Sequence, residues 1–381
     1  MKILHVIDSL DLFRGGPVVC AASIAASQAA QGNDVSILSY DLIEPEKFYD
    51  FLKFNVPGSD KINFVFISND SAFERRYPVK SISKFKLKII DSDVVHVHGM
   101  WHPLLYKSCV IAKKNNIKYV LTPHGMLDPW SLSQKRFKKK LALALGWKSI
   151  LNNCHYLHAL NDDEAILMGP LGLKSKIEVI SNGVFEETFS NLPDKEIFLN
   201  KFPRLRGKRF ILFLSRLHYK KGLDFLIDSY RLFLSRVHDV DLVIAGPDDG
   251  WKDELLGLIN DNDLSEKVHI IGPVYNEIKY SAYLSASCFC LPSRQEGFSI
   301  AITEAMACKL PVIISKPCNF NEVDTVKAGF VVDLDVNEIA EAMIKVVSDK
   351  NMADKMGFNG SNLIFTKYTW EHVARRLVAA Y

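Results

Sequence analysis

Residues 1–38, MKILHVIDSLDLFRGGPVVCAASIAASQAAQGNDVSIL, contain an apolar run, a polar loop with glycines, a helical stretch and a second apolar run. Ile3–Ile7 predicts a first strand, and Pro17 opens a helix whose end is followed by Gly32. Proline at the start of a helix and glycine just past its end are typical helix boundaries. Val35–Leu38 predicts the second strand. A strand, a helix and a strand in this order indicate an α/β fold with a parallel, doubly wound sheet.

The same alternation continues to about residue 180 and begins again after residue 208. At about 150 residues per domain, a chain of 381 residues is expected to form two domains. Residues 181–208 mix turn signals with charges, and we interpret them as the connection between the domains, with one short helix. Further strands are predicted at 94–97, 119–121, 154–159, 177–180, 210–214, 242–245, 268–271, 288–291 and 312–314, with helices at 104–114 and 223–237, from about 251, from about 299, and at 369–381.

The composition excludes several classes of protein. Apolar residues make up 48% and charged residues 24%, which excludes a disordered chain. The net charge of +3 gives no reason to expect a nucleic-acid partner. Apolar stretches are too short for a membrane span, and the first residues predict a strand rather than a signal peptide. Seven irregularly spaced cysteines without a C-x-x-C pair indicate reduced thiols and a cytoplasmic protein rather than disulfides or a zinc site.

The first strand is followed by a loop that ends in Gly15 and Gly16 at the start of a helix. Glycines let the backbone approach a phosphate closely, and free N–H groups at a helix start favour an anion. A flexible turn is the alternative. The loop is not G-x-G-x-x-G, which weakens the case for a dinucleotide dehydrogenase.

Two histidine-containing loops follow neighbouring strands. In HVHGMW, alternation puts His96 and His98 on one face of a strand, where they could bind a metal, line a substrate cleft or lie in the core. In TPHGML, His124 lies between a proline and a glycine that restrict its backbone. It is expected to face a cleft at the carboxyl edge of the sheet; a structural turn is the alternative.

The segment SRLHYKKG places Arg216, Lys220 and Lys221 around a turn before a helix. Cations at a helix N-terminus oppose the helix dipole, so an anionic ligand would explain them better than an exposed helix start. Arginine and lysine are both suited to phosphate oxygens.

The segment PSRQEGFSIAITEAMACKLPVI, residues 292–313, carries two carboxylates eight positions apart. Glu296 precedes Gly297, and Glu304 lies among apolar residues of a predicted helix. A carboxylate in such surroundings needs a partner, either ribose hydroxyls or an internal salt bridge. The first backbone N–H groups of the helix could bind a diphosphate.

Together these motifs resemble the retaining glycosyltransferases of family 4, which have the GT-B fold. HVHGMWHP and TPHGMLDPW further resemble bacterial members that build surface polysaccharides. The resemblance implies two doubly wound, Rossmann-like domains that face a central cleft, 1–185 and 186–365, with the C-terminal helix 366–381 packed on the first domain. It rests on the Gly15–Gly16 pair, the His-Gly of residues 122–127, the R-x4-K pair Arg216 and Lys221, the E-x7-E pair Glu296 and Glu304, and the tail segment 368–371.

The resemblance also implies a role for each matching residue. It assigns catalytic roles to His124, Glu296, Arg216 and Lys221. It assigns donor binding to Gly15, Gly16, Arg216, Lys221, Glu296, Gly297, Phe298, Ser299, Ile300 and Glu304. Residues on the acceptor side are His98, Trp101 and His124. One departure is Ser215, which stands where many members have glycine.

The expected activity is transfer of a sugar from a nucleotide diphosphate sugar to a hydroxyl of a carbohydrate acceptor, with retention, in the biosynthesis of a polysaccharide or glycoconjugate. The expected partners are this donor and an acceptor that is a carbohydrate or a lipid-linked glycan. No metal or other cofactor is expected, because side-chain cations can supply the positive charge and no Asp-x-Asp motif ends a strand. The alternatives are a nucleotide-sugar epimerase, a phosphorylase, or a non-catalytic protein that binds nucleotide sugars or glycans on the same scaffold.

Residues 135–147, KRFKKKLALALGW, join a basic stretch to an apolar one. Cations meet anionic headgroups while Leu and Trp reach the membrane interface, so this segment predicts peripheral contact with an anionic membrane. That would place the protein at the inner face of the cell membrane. The alternative is a solvated helix whose leucines pack inside the domain.

Overall fold

The computed structural model describes residues 1–68 and 82–381. The chain divides into two compact units, Met1–Phe185 with Trp370–Tyr381, and Glu186–Thr369. We call them the N-terminal and the C-terminal unit. Each contains one parallel sheet with helices in the connections between its strands.

The N-terminal sheet has seven strands and the C-terminal sheet has six among the described residues. The strands are β1 Lys2–Ile7, β2 Asp34–Tyr40, β3 Asn63–Ile67, β4 Val94–His98, β5 Lys118–Thr122, β6 Tyr156–Ala159, β7 Ile177–Val179, β8 Arg209–Leu214, β9 Val240–Ala245, β10 Val268–Gly272, β11 Cys288–Leu291, β12 Val312–Ser315 and β13 Gly329–Val332. The spatial orders are β3-β2-β1-β4-β5-β6-β7 and β10-β9-β8-β11-β12-β13. In both sheets the order reverses beside the first strand of the unit, as in doubly wound folds.

Most helices lie in the connections between the strands, and three follow the last strand: Val336–Ser348, Lys350–Lys367 and Trp370–Ala380. In the N-terminal unit they are Gly16–Ala30, Pro45–Asn55, Ile82–Ile90, Pro103–Lys114, Pro129–Ser133, Arg136–Ala142, Lys148–Leu151, Asp162–Met168 and Trp370–Ala380, with a π-helical turn at Leu143–Trp147. In the C-terminal unit they are Glu186–Ser190, Glu196–Lys201, Leu223–Leu234, Lys252–Asp261, Asn276–Ser285, Ile300–Ala307, Glu322–Thr325, Val336–Ser348 and Lys350–Lys367.

The predicted doubly wound fold is confirmed, with local differences. β3 and β13 were not predicted from the sequence, because a short apolar run fits a strand and a buried helix equally well. The connection after residue 181 holds two short helices, Glu186–Ser190 and Glu196–Lys201, rather than one. Phe198 of the second helix is fully buried, so tertiary packing stabilises a helix whose local sequence is rich in turn signals.

The C-terminal helix Trp370–Ala380 packs on the N-terminal unit, as expected. Trp370, Val373 and Leu377 belong to the same buried cluster as the helix Gly16–Ala30. That helix is rich in alanine and buried along most of its length, so another helix can approach it closely. The chain therefore returns to its first domain after completing the second.

Candidate functional site

Two glycines bring the loops of the C-terminal sheet into contact at its carboxyl edge. A Cβ atom on Gly222, whose φ is 66°, would lie 1.8 Å from the carbonyl oxygen of Pro292. A Cβ on Gly246 would lie 1.8 Å from the carbonyl oxygen of Ser215. No side chain fits at either position, so glycine is required for the loops after β8, β9 and β11 to meet.

Lys221 and Glu296 form an ion pair at this edge. The Lys221 Nζ lies 2.6 Å from Glu296 Oε1, and their side chains are only 14% and 8% exposed. The Ser293 hydroxyl donates to the same carboxylate oxygen at 2.6 Å. Lysine has three N–H donors, and Glu296 accepts one of them. The structure thus joins one member of R-x4-K to one member of E-x7-E.

Arg216 is held at the same edge by a different partner. Its Nη1 donates to Asp249 Oδ2 at 2.5 Å, and its side chain is 64% exposed. The backbone around it is fixed, because the Leu217 N–H donates to the Pro247 carbonyl and the Asp249 N–H donates to the Leu217 carbonyl, at 2.8 and 3.0 Å. An anion could bind the guanidinium by exchanging with the Asp249 carboxylate.

Glu304 lies on the buried face of the helix Ile300–Ala307 and has internal partners. Lys279 Nζ donates to its Oε1 at 2.6 Å, and the Tyr283 hydroxyl donates to its Oε2 at 3.3 Å. Burial lowers the pKa of Lys279, but the charges and hydrogen bonds of Glu304 and Tyr280 together outweigh burial, and the pKa is raised overall. The internal salt bridge that the sequence left open is therefore present, and ribose hydroxyls would have to share the carboxylate with it.

The segment between the two carboxylates contributes backbone to the site. The helix begins at Ile300 after Ser299, whose side chain makes no capping hydrogen bond. Phe298 packs its ring against Phe320 and Tyr368, with centroids 5.7 and 6.0 Å apart. Gly297 has open space where a side chain would be. The first N–H groups of a helix have no intrahelical partner, which suits an anion.

In the N-terminal unit, His98 and His124 meet at the carboxyl edge of the sheet. His98 ends β4, and its Nδ1 lies 3.3 Å from His124 Nε2 in the loop after β5. His124 has a φ of 52° and Gly125 a φ of 73°, so two successive residues are left-handed. A non-glycine residue rarely adopts this conformation, and such strain is often found at functional sites.

The glycine pair opens the helix Gly16–Ala30, as expected. Gly15 has a φ of 77°, and its N–H donates to the Leu12 carbonyl at 3.0 Å. The loop before it is polar, with Arg14 3.8 Å from Asp8. Apart from each glycine and the chain adjoining it, no atom of residues 1–68 or 82–381 lies within 4 Å of the position that a Cβ would take at either glycine, so a ligand could approach this backbone.

Comparison with known proteins identifies the family. The model "Glycosyltransferase Family 4" matches residues 14–187, and the model "Glycosyl transferases group 1" matches residues 194–363. A glycosyltransferase of Methanocaldococcus jannaschii is 31% identical over 96% of this chain and 94% of its own. The chain belongs to glycosyltransferase family 4.

Two further proteins place this family 4 glycosyltransferase among its relatives. The capsular polysaccharide biosynthesis glycosyltransferase CapM of Staphylococcus aureus is 26% identical over 57% of this chain and 58% of its own. The structure of HepE from Anabaena in complex with UDP and glucose superposes with a TM-score of 0.78 at 17% identity, covering 100% of this chain and 98% of that one. The GT-B fold expected from the sequence is thereby confirmed.

The glycosyltransferase has a buried carboxylate beside His124 that the sequence did not single out. Glu164 Oε1 accepts from the Gly125 N–H at 2.6 Å, and Oε2 accepts from the Leu160 N–H at 2.8 Å. Burial raises the pKa of Glu164 although both bonds lower it. The sequence signal that could have identified Glu164 is the N-x-x-E pattern, which is typical of a helix N-terminus. In the structure the Asn161 side chain accepts a hydrogen bond from the Glu164 N–H at 2.7 Å. Glu164 therefore holds the left-handed turn in place.

His102 is a second residue that the sequence did not single out, although it is part of HVHGMWHP. It caps the helix Pro103–Lys114 by accepting from the Leu104 N–H at 3.2 Å. Burial lowers its pKa, and the charges of Asp8 and Arg14 act on it in opposite directions. The glycine loop after β1 and the HVHGMWHP loop are thus neighbours in the N-terminal unit.

His96 lies in the core, whereas Trp101 is half-buried. The Trp101 ring packs 6.0 Å from the Trp147 ring, Lys139 Nζ lies 5.4 Å from it, and its indole N–H is buried without a partner among the described residues. His96 is fully buried and bonded through both ring nitrogens, to Tyr381 and Thr122. It is the hydrogen-bonded core histidine that the sequence left open, and a metal would have to displace these bonds.

Proposed function

We propose that this family 4 glycosyltransferase moves a sugar from a nucleotide diphosphate sugar to a hydroxyl of a carbohydrate acceptor, with retention, in polysaccharide or glycoconjugate biosynthesis. The observation that carries the proposal is the buried Lys221–Glu296 pair beside the start of the helix Ile300–Ala307. Cation, carboxylate and helix N-terminus are the groups needed to hold a diphosphate and its sugar. The CapM relationship and the UDP and glucose bound to HepE support the substrate class.

The C-terminal unit binds the donor in this proposal. Lys221 and Arg216 contact the diphosphate and stabilise the negative charge that grows on it as the sugar leaves. Glu296 contacts the donor sugar, and Glu304 contacts the ribose. The backbone N–H groups of 298–300 complete the anion site. Since two side-chain cations supply the charge, we propose that the reaction needs no metal ion.

The N-terminal unit supplies the acceptor side. We assign His98, Trp101 and His124 to it, with His124 nearest the reacting sugar. Burial of the imidazole lowers the pKa of His124 to about 3, so the ring is neutral at physiological pH. A neutral imidazole can hydrogen-bond a hydroxyl without carrying a charge. Gly15 and Gly16 are assigned to the phosphates.

A ligand panel tests the donor assignment. A nucleoside diphosphate or nucleotide sugar at about 100 times its Kd is expected to stabilise the protein by about 2.7 kcal/mol, measured as a thermal shift. The matching monophosphate should give a smaller shift, because it lacks one phosphate group. The Lys221→Ala variant serves as the control and should lose most of the difference between the two ligands.

The outcome also separates an enzyme from a binding protein. A transferase should slowly hydrolyse its donor when no acceptor is present, whereas a non-catalytic binding protein should show a thermal shift without turnover. Equal shifts for monophosphate and diphosphate would contradict the diphosphate site.

We also propose that residues 135–147 contact an anionic membrane that carries a lipid-linked acceptor. Phe137 and Leu141 are spaced by four residues on the helix Arg136–Ala142, and Leu145 follows at the same spacing in the π-helical turn. These three side chains, which we call the apolar stripe, are 87%, 59% and 74% exposed. Basic residues flank the stripe, so it combines apolar and cationic contacts.

The sequence also predicted that Trp147 reaches the membrane interface, and this prediction was wrong. The Trp147 ring is buried against Tyr106 and Trp101 and does not reach the surface. In the described part of the chain, no helix combines the length and the apolarity needed to cross a bilayer.

Liposome flotation tests this surface. The protein is expected to float with vesicles of anionic lipid at low salt and to be released at high salt, since each cation near the surface contributes about 1 kcal/mol that salt screens. Replacing Phe137 and Leu145 by serine should abolish flotation. A matched control is Phe358→Ser, which changes a similarly exposed ring, at 65%, in the C-terminal unit. Equal flotation with neutral and anionic vesicles, or none at low salt, would rule out the contact.

A further inference from the structure

A continuous chain of hydrogen bonds runs through the core of the N-terminal unit to His124. Its members come from four strands, one helix, two loops and the residue after the C-terminal helix, and most are fully buried. In order they are the Ile180 carbonyl, His158 (2.6 Å), Thr122 (2.8 Å), His96 (2.7 Å), Tyr381 (2.6 Å), Gln28 (3.0 Å), His5 (2.8 Å), His98 (2.9 Å) and His124 (3.3 Å), each distance measured to the preceding member.

The direction of every hydrogen bond follows from the end at Ile180. A carbonyl oxygen only accepts, so His158 must carry its proton on Nε2. Burial lowers the pKa of His158 to about 4, so the ring is neutral and its Nδ1 is an acceptor. The Thr122 hydroxyl therefore donates to His158 Nδ1 and accepts from the Nε2–H of His96.

The same reasoning continues through Tyr381. The Nδ1 of a neutral His96 must accept, so the Tyr381 hydroxyl donates to it. The Tyr381 oxygen is then free to accept from the amide NH2 of Gln28. This orients the amide and turns its oxygen towards His5, whose Nε2–H donates to it.

The last steps reach the edge of the sheet. His5 Nδ1 accepts from the Nε2–H of His98, and His98 Nδ1 accepts from the Nε2–H of His124. The Nδ1 of His124 is left with its lone pair. It makes no hydrogen bond with the described residues, yet it is not among the buried polar atoms without partners. This nitrogen therefore reaches solvent.

We propose that the chain holds His124 in the Nε2–H tautomer and so presents Nδ1 as an obligatory hydrogen-bond acceptor to the substrate. Tyr381, Gln28, Thr122 and His158 are positioning residues that act through His124. The group bound at Nδ1 must be a donor, such as a sugar hydroxyl, while a phosphate or carboxylate oxygen is rejected because two lone pairs would face each other. This identification of the ligand rests on the proposed function, whereas the tautomer does not.

The structure explains why the opposite tautomer is excluded. It would require the Gln28 amide to flip and point its oxygen at the Tyr381 hydroxyl. Tyr381 would then donate to Gln28 and leave His96 Nδ1 buried without a donor, which is costly. Without the hydroxyl, the two amide orientations become similar in energy. Tyr381→Phe is thus expected to turn one tautomer of His124 into a mixture of two.

Nitrogen NMR of the full chain labelled with 15N-histidine measures this directly at pH 7, with the His124 signals assigned from His124→Gln. We expect a protonated Nε2 and an unprotonated Nδ1 in the parent, and averaged or doubled signals in Tyr381→Phe. Thr122→Val breaks the chain at a second place and should act alike. The matched control is Tyr119→Phe, which deletes a buried hydroxyl that donates to the Ile150 carbonyl at 2.8 Å, outside the chain.

If half of the variant molecules hold the wrong tautomer, kcat/KM should fall about twofold in Tyr381→Phe relative to Tyr119→Phe. A parent His124 protonated on Nδ1, or a single unchanged tautomer in both folded chain variants, would overturn the proposal. Since the spectra need no substrate, a failure of the proposed transfer reaction would be seen separately, as absent turnover beside the expected tautomer.

Discussion

Lowering the pH from 7 to 5 is expected to destabilise the N-terminal unit by several kcal/mol. Burial lowers the pKa of His5 and His158 to about 4 and that of His124 to about 3, and it also lowers the pKa values of His96 and His98 well below the usual 6.5. These histidines stay neutral in the folded protein at pH values where they are charged in the unfolded chain. Each therefore favours unfolding as the pH falls.

The sign and the pH window follow from these values. Below pH 6.5 the unfolded chain binds more protons than the folded one, so the free energy of unfolding falls as the pH falls. The slope approaches about 1.4 kcal/mol per pH unit for each such histidine and levels off only near its folded pKa, around pH 4. Between pH 7 and 5 this amounts to about 2 kcal/mol for each histidine. Several such losses approach the total stability of an ordinary domain, about 5–15 kcal/mol.

Urea unfolding followed by tryptophan fluorescence at several pH values measures the effect. Trp101, Trp130, Trp147 and Trp370 lie in the N-terminal unit, so Trp251→Phe makes the signal specific for it. His158→Gln should reduce the slope of stability against pH by about 1.4 kcal/mol per unit, even if it lowers stability overall. His155→Gln alters an exposed neighbour and serves as the control. A parent protein equally stable at pH 7 and 5 would contradict the neutral histidine cluster.

Replacing Lys221 by alanine is expected to reduce the rate of sugar transfer by about 10- to 150-fold, because a charge-assisted hydrogen bond contributes about 1.5–3 kcal/mol. The loss should be at least partly in kcat, since the charge on the leaving diphosphate grows in the transition state. Steady-state kinetics with the donor found in the ligand panel would measure it. The variant also leaves the buried Glu296 carboxylate without its cation, so its thermal stability must be measured in parallel.

Lys220→Ala provides the matched control. Lys220 adjoins Lys221 but donates to the neutral amide oxygen of Gln295 at 3.0 Å. The Lys220→Ala variant should therefore retain most of the sugar-transfer activity. Glu296→Gln keeps the shape of the site and should lower turnover more than donor affinity. Parent-like transfer by a folded Lys221→Ala would show that Lys221 does not bind the diphosphate.

The charges of the residues and their spacing along the sequence were sufficient to predict part of the candidate site. The loops carrying Arg216, Lys221, Glu296 and His124 follow strands of parallel sheets, and ligands of such sheets bind at the carboxyl ends of the strands. Alternation along β4 also placed His96 and His98 on one face. It could not show that only His98 contacts His124, because that depends on which strands are neighbours.

The sequence by itself determined the doubly wound architecture, the family and the loops that carry the candidate site, because strand–helix periodicity and short motifs are local properties of the chain. Only the tertiary structure decided which side chains pair with each other in hydrogen bonds and ion pairs. Lys279 reaches Glu304 from 25 positions away, and Tyr381 joins His96 across 285 positions. In the tertiary structure Trp147 is also buried, while Leu145, two positions before it, is exposed. Such contacts depend on packing between elements distant in sequence, where burial and hydrogen-bond complementarity rather than local propensity set the free energy.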